Sequence, residues 1–453
     1  MHLHQLTLAA AVLSLAISAI ARAAPAPAAQ TPAATAPAPA AQVAVPPLSA
    51  PTHNTIVVEA GKFDRRSVPM SVALPEGMTM NEMKPSEVMD GDKKVLCQES
   101  DGKLWWIVDE IAAGASKSYA FTLQDRRAVG MHAAPAQHAP NRVVLTQLKD
   151  TIDVALDGKP LTSYHFTLGK FAGQEAHRPF FHPLLGPGQV PMTRPWPCTD
   201  AAIPATVSKD HPHHTGLWVA YGEVNGVDNW TNDAKAGWQI HKSFENVTSG
   251  PVMGAFRETL DWTDAAKKPN LAEVRTIRVY ALPGEARMID IEVTLQAKYG
   301  PVLFGDTKEG SLCAVRIRDE LCGDKGGRLV NSAGLAGADA WGKPAAWIDD
   351  SGAADGRRVG LAMFDSPENM RHPTRWHART YGLLGPNPFG ITAFDPKSSR
   401  RGDFTLDDGK SVTFRYRICL HAGDEKEGAV AARWADFAQP PAAVVQKGIV
   451  NPV

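Results

Sequence analysis

Along most of the chain, apolar and polar residues alternate in short runs punctuated by glycine, proline and aspartate, the period of half-buried β-strands. Between Thr55 and Leu123 these runs read TIVVEA, SVPMSVAL, KKVLCQES, KLWWIVDEI and SKSYAFTL, which predicts a small β-sandwich over residues 51–130. The pattern resumes from Arg142 with RVVLTQL, TIDVAL, SYHFTLG, GLWVAYG, AEVRTIRVYAL, RMIDIEVTLQA, CAVRIRD, RVGLAMFD and SVTFRYRICL. Only Glu427 to Phe437 has a helical pattern, so βαβ alternation is missing. The class is therefore all-β, with a large antiparallel β-sandwich over 143–440. The loose stretch MHAAPAQHAPN places a linker at 131–142, and 441–453 reads as a C-terminal tail.

The N-terminus adds an address. Leu6 to Ile20 is an apolar run too short for a comfortable membrane span, and Ala21-Arg22-Ala23 follows as a small-residue cleavage site. Residues 1–23 read as a signal peptide and 24–50, almost entirely Ala, Pro, Gln and Thr, as a disordered tether. The expected location is periplasmic or extracellular, with no membrane span after signal cleavage. The formal charge of -1, from 47 Lys plus Arg against 48 Asp plus Glu, gives no field for nucleic acid. Five scattered cysteines show no metal-finger spacing; they read as small buried residues, with a Cys313–Cys322 bridge as the alternative.

Candidate chemistry gathers in the larger half. No GxSxG, GxxxxGK[ST], Rossmann glycine pattern or HExxH occurs. Asp210-His211-Pro212-His213-His214-Thr215-Gly216-Leu217-Trp218 puts three imidazoles within four positions. In an extended segment His211 and His213 share a face and His214 points away. Such a pair can chelate a metal, or one ring can act as acid/base while another binds substrate. His182 in RPFFHP and Arg194 in MTRPW precede it; Asp228 and Trp230 follow in GEVNGVDNW. In FGDTKEG, Lys308 and Glu309 stand between two glycines that let a ligand approach the backbone. His372, His377 and Asn387 lie on a Pro/Gly-rich loop, and Trp218 and Trp230 supply flat faces of the kind on which sugar rings stack.

RPFFHPL, DHPHHTGLW, GEVNGVDNW, FGDTKEG, NSAGLAGADAWGKPAAW and RHPTRWHARTYGLLGPNPFG together resemble the PmoA-like family of exported bacterial proteins, over about Arg178 to Cys419. That resemblance implies a sandwich similar to the galactose-mutarotase-like supersandwich, in which histidines and a carboxylate perform acid/base work on sugars. It casts His211, His213 and His214 as the catalytic histidines and Glu309 as the carboxylate. Arg194, Asp228, Lys308, His372, His377 and Asn387 would form the rim.

Three functions follow as expectations. The first is a carbohydrate-active enzyme acting on a glycoside or modified sugar, of hydrolase or lyase type, requiring no cofactor. The second, suggested by the family's usual label of methane oxygenase, is an oxidoreductase holding a divalent metal on His211, His213 and His182. The third is a non-catalytic glycan-binding protein. The partner in each case is a carbohydrate or other small molecule, and the oligomeric state is left open.

Overall fold

A computed structural model describes residues 52–80, 87–125 and 139–447. The predicted signal peptide, the tether and most of the predicted linker lie outside the described residues. Strand accounts for 51% of the structure and helix for 7%, which bears out the all-β class. The described residues form one compact unit.

The first domain is a sandwich whose strands run Arg65–Ala73, Lys103–Ile111, Lys93–Ser100, Glu87–Asp90, Ser116–Asp125, Thr52–Glu59 and, at the edge, Ala442–Lys447. The last strand corrects the reading of 441–453 as a tail: Asn54 pairs with Lys447 and Glu59 with Ala442. Ala443 and Val445 turn toward the domain's core, while Val444 faces solvent. Six residues from the far end of the chain were too short a run to declare themselves a strand.

KLWWIVDEI shows why the two domains stay together. Leu104, Trp106 and Val108 point into the small sandwich, whereas Ile107 and Trp105 on the opposite face pack with Val252, Met253, Tyr280 and Leu282 of the large one. Gln98 adds a polar clasp, its Oε1 accepting from the amides of Val252 (3.2 Å) and Met253 (3.0 Å). Buried Arg65 also reaches Asp436 at 2.9 Å.

The large domain packs two antiparallel sheets face to face. One has seven strands, in the order Leu383–Leu384, Gly310–Arg316, Leu217–Tyr221, Phe180–Phe181, Lys159–His165, Thr151–Leu156 and Val143–Gln147. The other has eight: Trp238–Thr248, Met253–Thr263, Pro269–Tyr280, Arg287–Gln296, Ser411–Ala422, Arg357–Asp365, Trp347–Ala354 and Arg328–Asn331. Alternate residues such as Leu217, Val219, Ile289, Ile291, Val293 and Ile418 fill the space between them. The helix expected over 427–437 forms as Val430–Ala438. No disulfide joins the cysteines, all of which are buried, so the Cys313–Cys322 bridge does not form.

Candidate functional site

The seven-stranded sheet has two different faces. Leu217, Val219 and Tyr221 point to the core, and Trp218 and Ala220, between them on the same strand, point away from it. The outward face continues through Phe180 and Ala314, with Trp196 and Trp230 packed over it. The histidine segment enters at one end of this face.

That segment is a turn and not the extended strand the spacing suggested. His211 adopts a positive φ of 43° and the amide of His214 bonds to its carbonyl at 3.0 Å. The rings consequently regroup: His211 and His214 stack at 4.9 Å and 8°, and His213 meets His214 edge-on at 4.5 Å. Gly216 follows at φ 128°, where a Cβ would sit 2.3 Å from the Phe181 carbonyl, so only glycine lets the turn pass over the neighbouring strand.

Buried guanidinium groups hold the turn by its carbonyls. Arg194 donates to the carbonyls of Asp210 (2.6 Å), His211 (3.0 Å) and His214 (3.4 Å), and Arg178 to that of His213 (3.3 Å). Arg316, at the end of Gly310–Arg316, binds the Asp210 carboxylate at 2.8 Å alongside Arg194. Burial would raise the Asp210 pKa, but hydrogen bonds from His211 and Ser208 and the charge of Arg316 hold it well below the carboxylate range. Arg316 was overlooked in the sequence because a charge ending the apolar strand CAVRIRD looks like a solvated strand end; in the fold it is 1% exposed.

Other elements complete the wall. Tyr381 stacks on His211 at 5.1 Å and covers the Arg316 guanidinium, 4.5 Å from its ring centre. His377 stacks on Trp230 at 6.1 Å, and its Nε2 faces Arg379 Nε at 3.4 Å. Lys308 and Glu309 form an ion pair, with side chains 44% and 41% exposed. Lys308 acts electrostatically on His377, and Glu309 on Tyr381. Gly222 permits the approach of their loop: a Cβ there would lie 2.2 Å from the Glu309 carbonyl. A recess of about 450 Å³ opens beside Tyr381 and Arg316, lined also by Lys209 and Lys325.

Three imidazoles of this wall, His213, His214 and His377, are electrically neutral at neutral pH. Burial, with the charges of Arg178 and His211, brings His213 down to about 3. Burial, with Arg379 and Lys308, brings His377 to about 3 as well. His214 is pushed well below its ordinary value by burial and by His213. Both ring nitrogens of His214, and the indole nitrogens of Trp218 and Trp230, are buried without a hydrogen-bond partner among the described residues.

Several predicted contacts turn out to position other groups. Trp218 and Trp230 are 2% and 1% exposed, so they back the histidines and are not open stacking platforms. Asp228 accepts from the amides of Trp230 (2.7 Å) and Thr231 (3.1 Å) and shapes that turn. The Asn387 amide donates to the Thr307 carbonyl at 2.8 Å and accepts from Gly390 at 2.8 Å, bracing the Lys308 loop. His372 is bound to Asp365 at 2.8 Å beside a separate recess of about 320 Å³ lined by Arg371, Arg375 and Arg400. Arg194 is a clamp, as described.

His182 does not join His211 and His213. Its Nδ1 faces Thr193 Oγ1 at 3.3 Å and its Nε2 accepts from the Trp196 amide at 3.3 Å. His211 Nδ1 is bound to Asp210 at 2.7 Å. Among the described residues no three His, Cys, Asp or Glu side chains converge in a metal-holding group, so the residues do not fit the metal set expected from sequence.

The chain belongs to a family of unknown function, DUF6807, whose model matches residues 151–435. No curated protein matches the chain. Among solved structures it is similar to a protein in the glycosyl hydrolase family 38 from Enterococcus faecalis, with a TM-score of 0.37 and 11% identity, covering 88% of this chain and 48% of that one. It is also similar to an alpha-mannosidase from Enterococcus faecalis V583, with a TM-score of 0.33 and 10% identity, covering 87% and 46%. The chain thus spans about half the length of the solved proteins it matches. No helix among the described residues is long and apolar enough to cross a membrane.

Proposed function

We propose that the protein is an exported carbohydrate-active enzyme that works on a glycoside or modified sugar by acid/base chemistry, of hydrolase or lyase type. The observation that carries this reading is the accessible Lys308–Glu309 pair facing a wall of neutral imidazoles on the outer face of a sheet. A neutral imidazole can take or relay a proton, and a carboxylate beside an ammonium can do the same without its charge being left alone. Glu309 is assigned the proton transfer at the substrate, His213 and His211 the second acid/base position, and Lys308 the stabilisation of negative charge developing on oxygen. The resemblance to PmoA-like proteins and the apolar run at Leu6 to Ile20 support export.

The test is to incubate the purified mature protein with a panel of glycosides and polysaccharides, following new reducing ends for hydrolysis and ultraviolet absorbance of unsaturated products for elimination. The expected result is turnover of at least one substrate that Glu309→Gln slows by roughly 10²- to 10⁴-fold while circular dichroism is unchanged. An inert panel, or a Gln variant as fast as the parent, would overturn the proposal.

A further inference from the structure

The charges around this site are not balanced. Lys308 is answered by Glu309, whereas Arg194 and Arg316 share the single carboxylate of Asp210. Asp319, the next acid on that side, accepts from the Ser208 amide at 2.6 Å. Arg379 has no carboxylate within ion-pair distance among the described residues, and the nearby histidines contribute no compensating negative charge.

Arg379 is nonetheless held in place. It opens a tight turn in which the Gly382 amide bonds to the Arg379 carbonyl at 2.8 Å and Tyr381 stands between them. Its guanidinium lies 5.1 Å from the ring centre of Trp341, and its Nε is directed at His377. The edge bearing Nη1 and Nη2 makes no hydrogen bond within the described residues, and the side chain is half-buried. A guanidinium fixed by its flat face and its Nε presents the two-pronged edge that matches a carboxylate or sulfate. Tyr381 on the same turn lies in the field of both Arg379 and Arg316, so the excess positive charge is concentrated where Glu309 and the histidines meet.

We propose that the substrate is an acidic sugar, carrying a carboxylate or a sulfate ester, and that Arg379 receives this anionic group. The inference rests on the sugar reading above and narrows it. An anion bound at Arg379 offsets the charge the protein leaves unanswered, and it fixes the ring's orientation relative to Glu309.

The experiment is calorimetric titration of the mature chain at low salt with methyl glucuronoside, glucose 6-sulfate, methyl glucoside and sodium acetate. The expected result is that one acidic sugar binds about tenfold or more tighter than the neutral glucoside, as one charge-assisted contact provides. Arg379→Gln should erase that preference and Arg379→Lys should retain part of it, both with unchanged melting. Which of the two acidic sugars is preferred distinguishes carboxylate from sulfate. Equal binding of acidic and neutral sugars would overturn the inference and leave the sugar reading intact. Acetate binding as tightly as the acidic sugars would support the anion contact and sink the sugar reading. Binding by none of the four would overturn the inference.

Discussion

The strand Lys159–His165 and its neighbours carry polar groups on both faces, and the two faces treat them in opposite ways. On the inner face Tyr164 donates to Glu258 and accepts from Arg275 at 2.9 Å; Arg275 in turn binds Glu273 at 2.7 Å and Gln239 at 3.2 Å, and the Trp262 indole donates to Glu273 at 2.6 Å. His241 closes the set on Glu258 at 2.7 Å. On the outer face, His214, Trp218 and Trp230 keep nitrogens that no group among the described residues answers. Buried polar atoms cost free energy unless paired, so the inner network fixes how the two sheets meet, whereas the outer set carries that cost behind the histidine wall.

Breaking one member of each face should separate the roles. Arg275→Ala leaves the buried Glu273 carboxylate without its cation and should cost about 3–5 kcal/mol in denaturant unfolding, enough to threaten folding of the domain. Glu309→Gln, on the partly exposed rim, should stay within roughly 0.5 kcal/mol of the parent in the same measurement. If the two variants lost equal stability, the distinction between the faces would be wrong.

Acid titration sharpens the contrast. His182, His213 and His377 are each brought to about 3 by burial, below the unfolded value. The unfolded chain therefore binds more protons than the folded one from about pH 6.5 down to about pH 3. Stability should fall as pH drops through that window, by about 1.4 kcal/mol per unit for each histidine that stays neutral in the fold. His377→Gln should reduce the slope by one proton's worth in pH-dependent unfolding; an unchanged slope would place the acid lability elsewhere.

A small effect is also expected at Trp230→Phe. The ring is buried but its indole nitrogen has no partner among the described residues, so the change removes packing without breaking a hydrogen bond. A cost of about 1 kcal/mol or less in thermal unfolding is expected, in the range of a volume-reducing aromatic swap. A larger loss would mean that the outer face is as tightly specified as the inner one.

What could be read in the sequence follows from what alternation encodes. Val219 and Trp218 declare opposite faces simply by being neighbours on a strand, and the segments RMIDIEVTLQA and SVTFRYRICL are central strands as expected. Met253–Thr263 and Trp347–Ala354 escaped notice because Glu258, Asp261, Asp349 and Asp350 interrupt the apolar rhythm. Glu258 and Asp349 find their partners on other strands, which no local pattern displays. The histidine cluster was legible as a crowd, but its arrangement depends on Arg178 and Arg194 gripping carbonyls of a turn. Asp210 and Arg316 are 106 residues apart, so their pairing is a property of the sheet alone.

The pairing of Thr52–Glu59 with Ala442–Lys447 has a consequence for the order in which the molecule is made. The strand Thr52–Glu59 has one side taken by Ser116–Asp125 and must wait for Ala442–Lys447, made long after it, to cover the other. Until then it offers a bare ladder of amides and carbonyls to any passing strand. A protease cutting after the helix Val430–Ala438 would spare every residue of the histidine wall and yet leave a molecule with an adhesive border, prone to join another copy of itself.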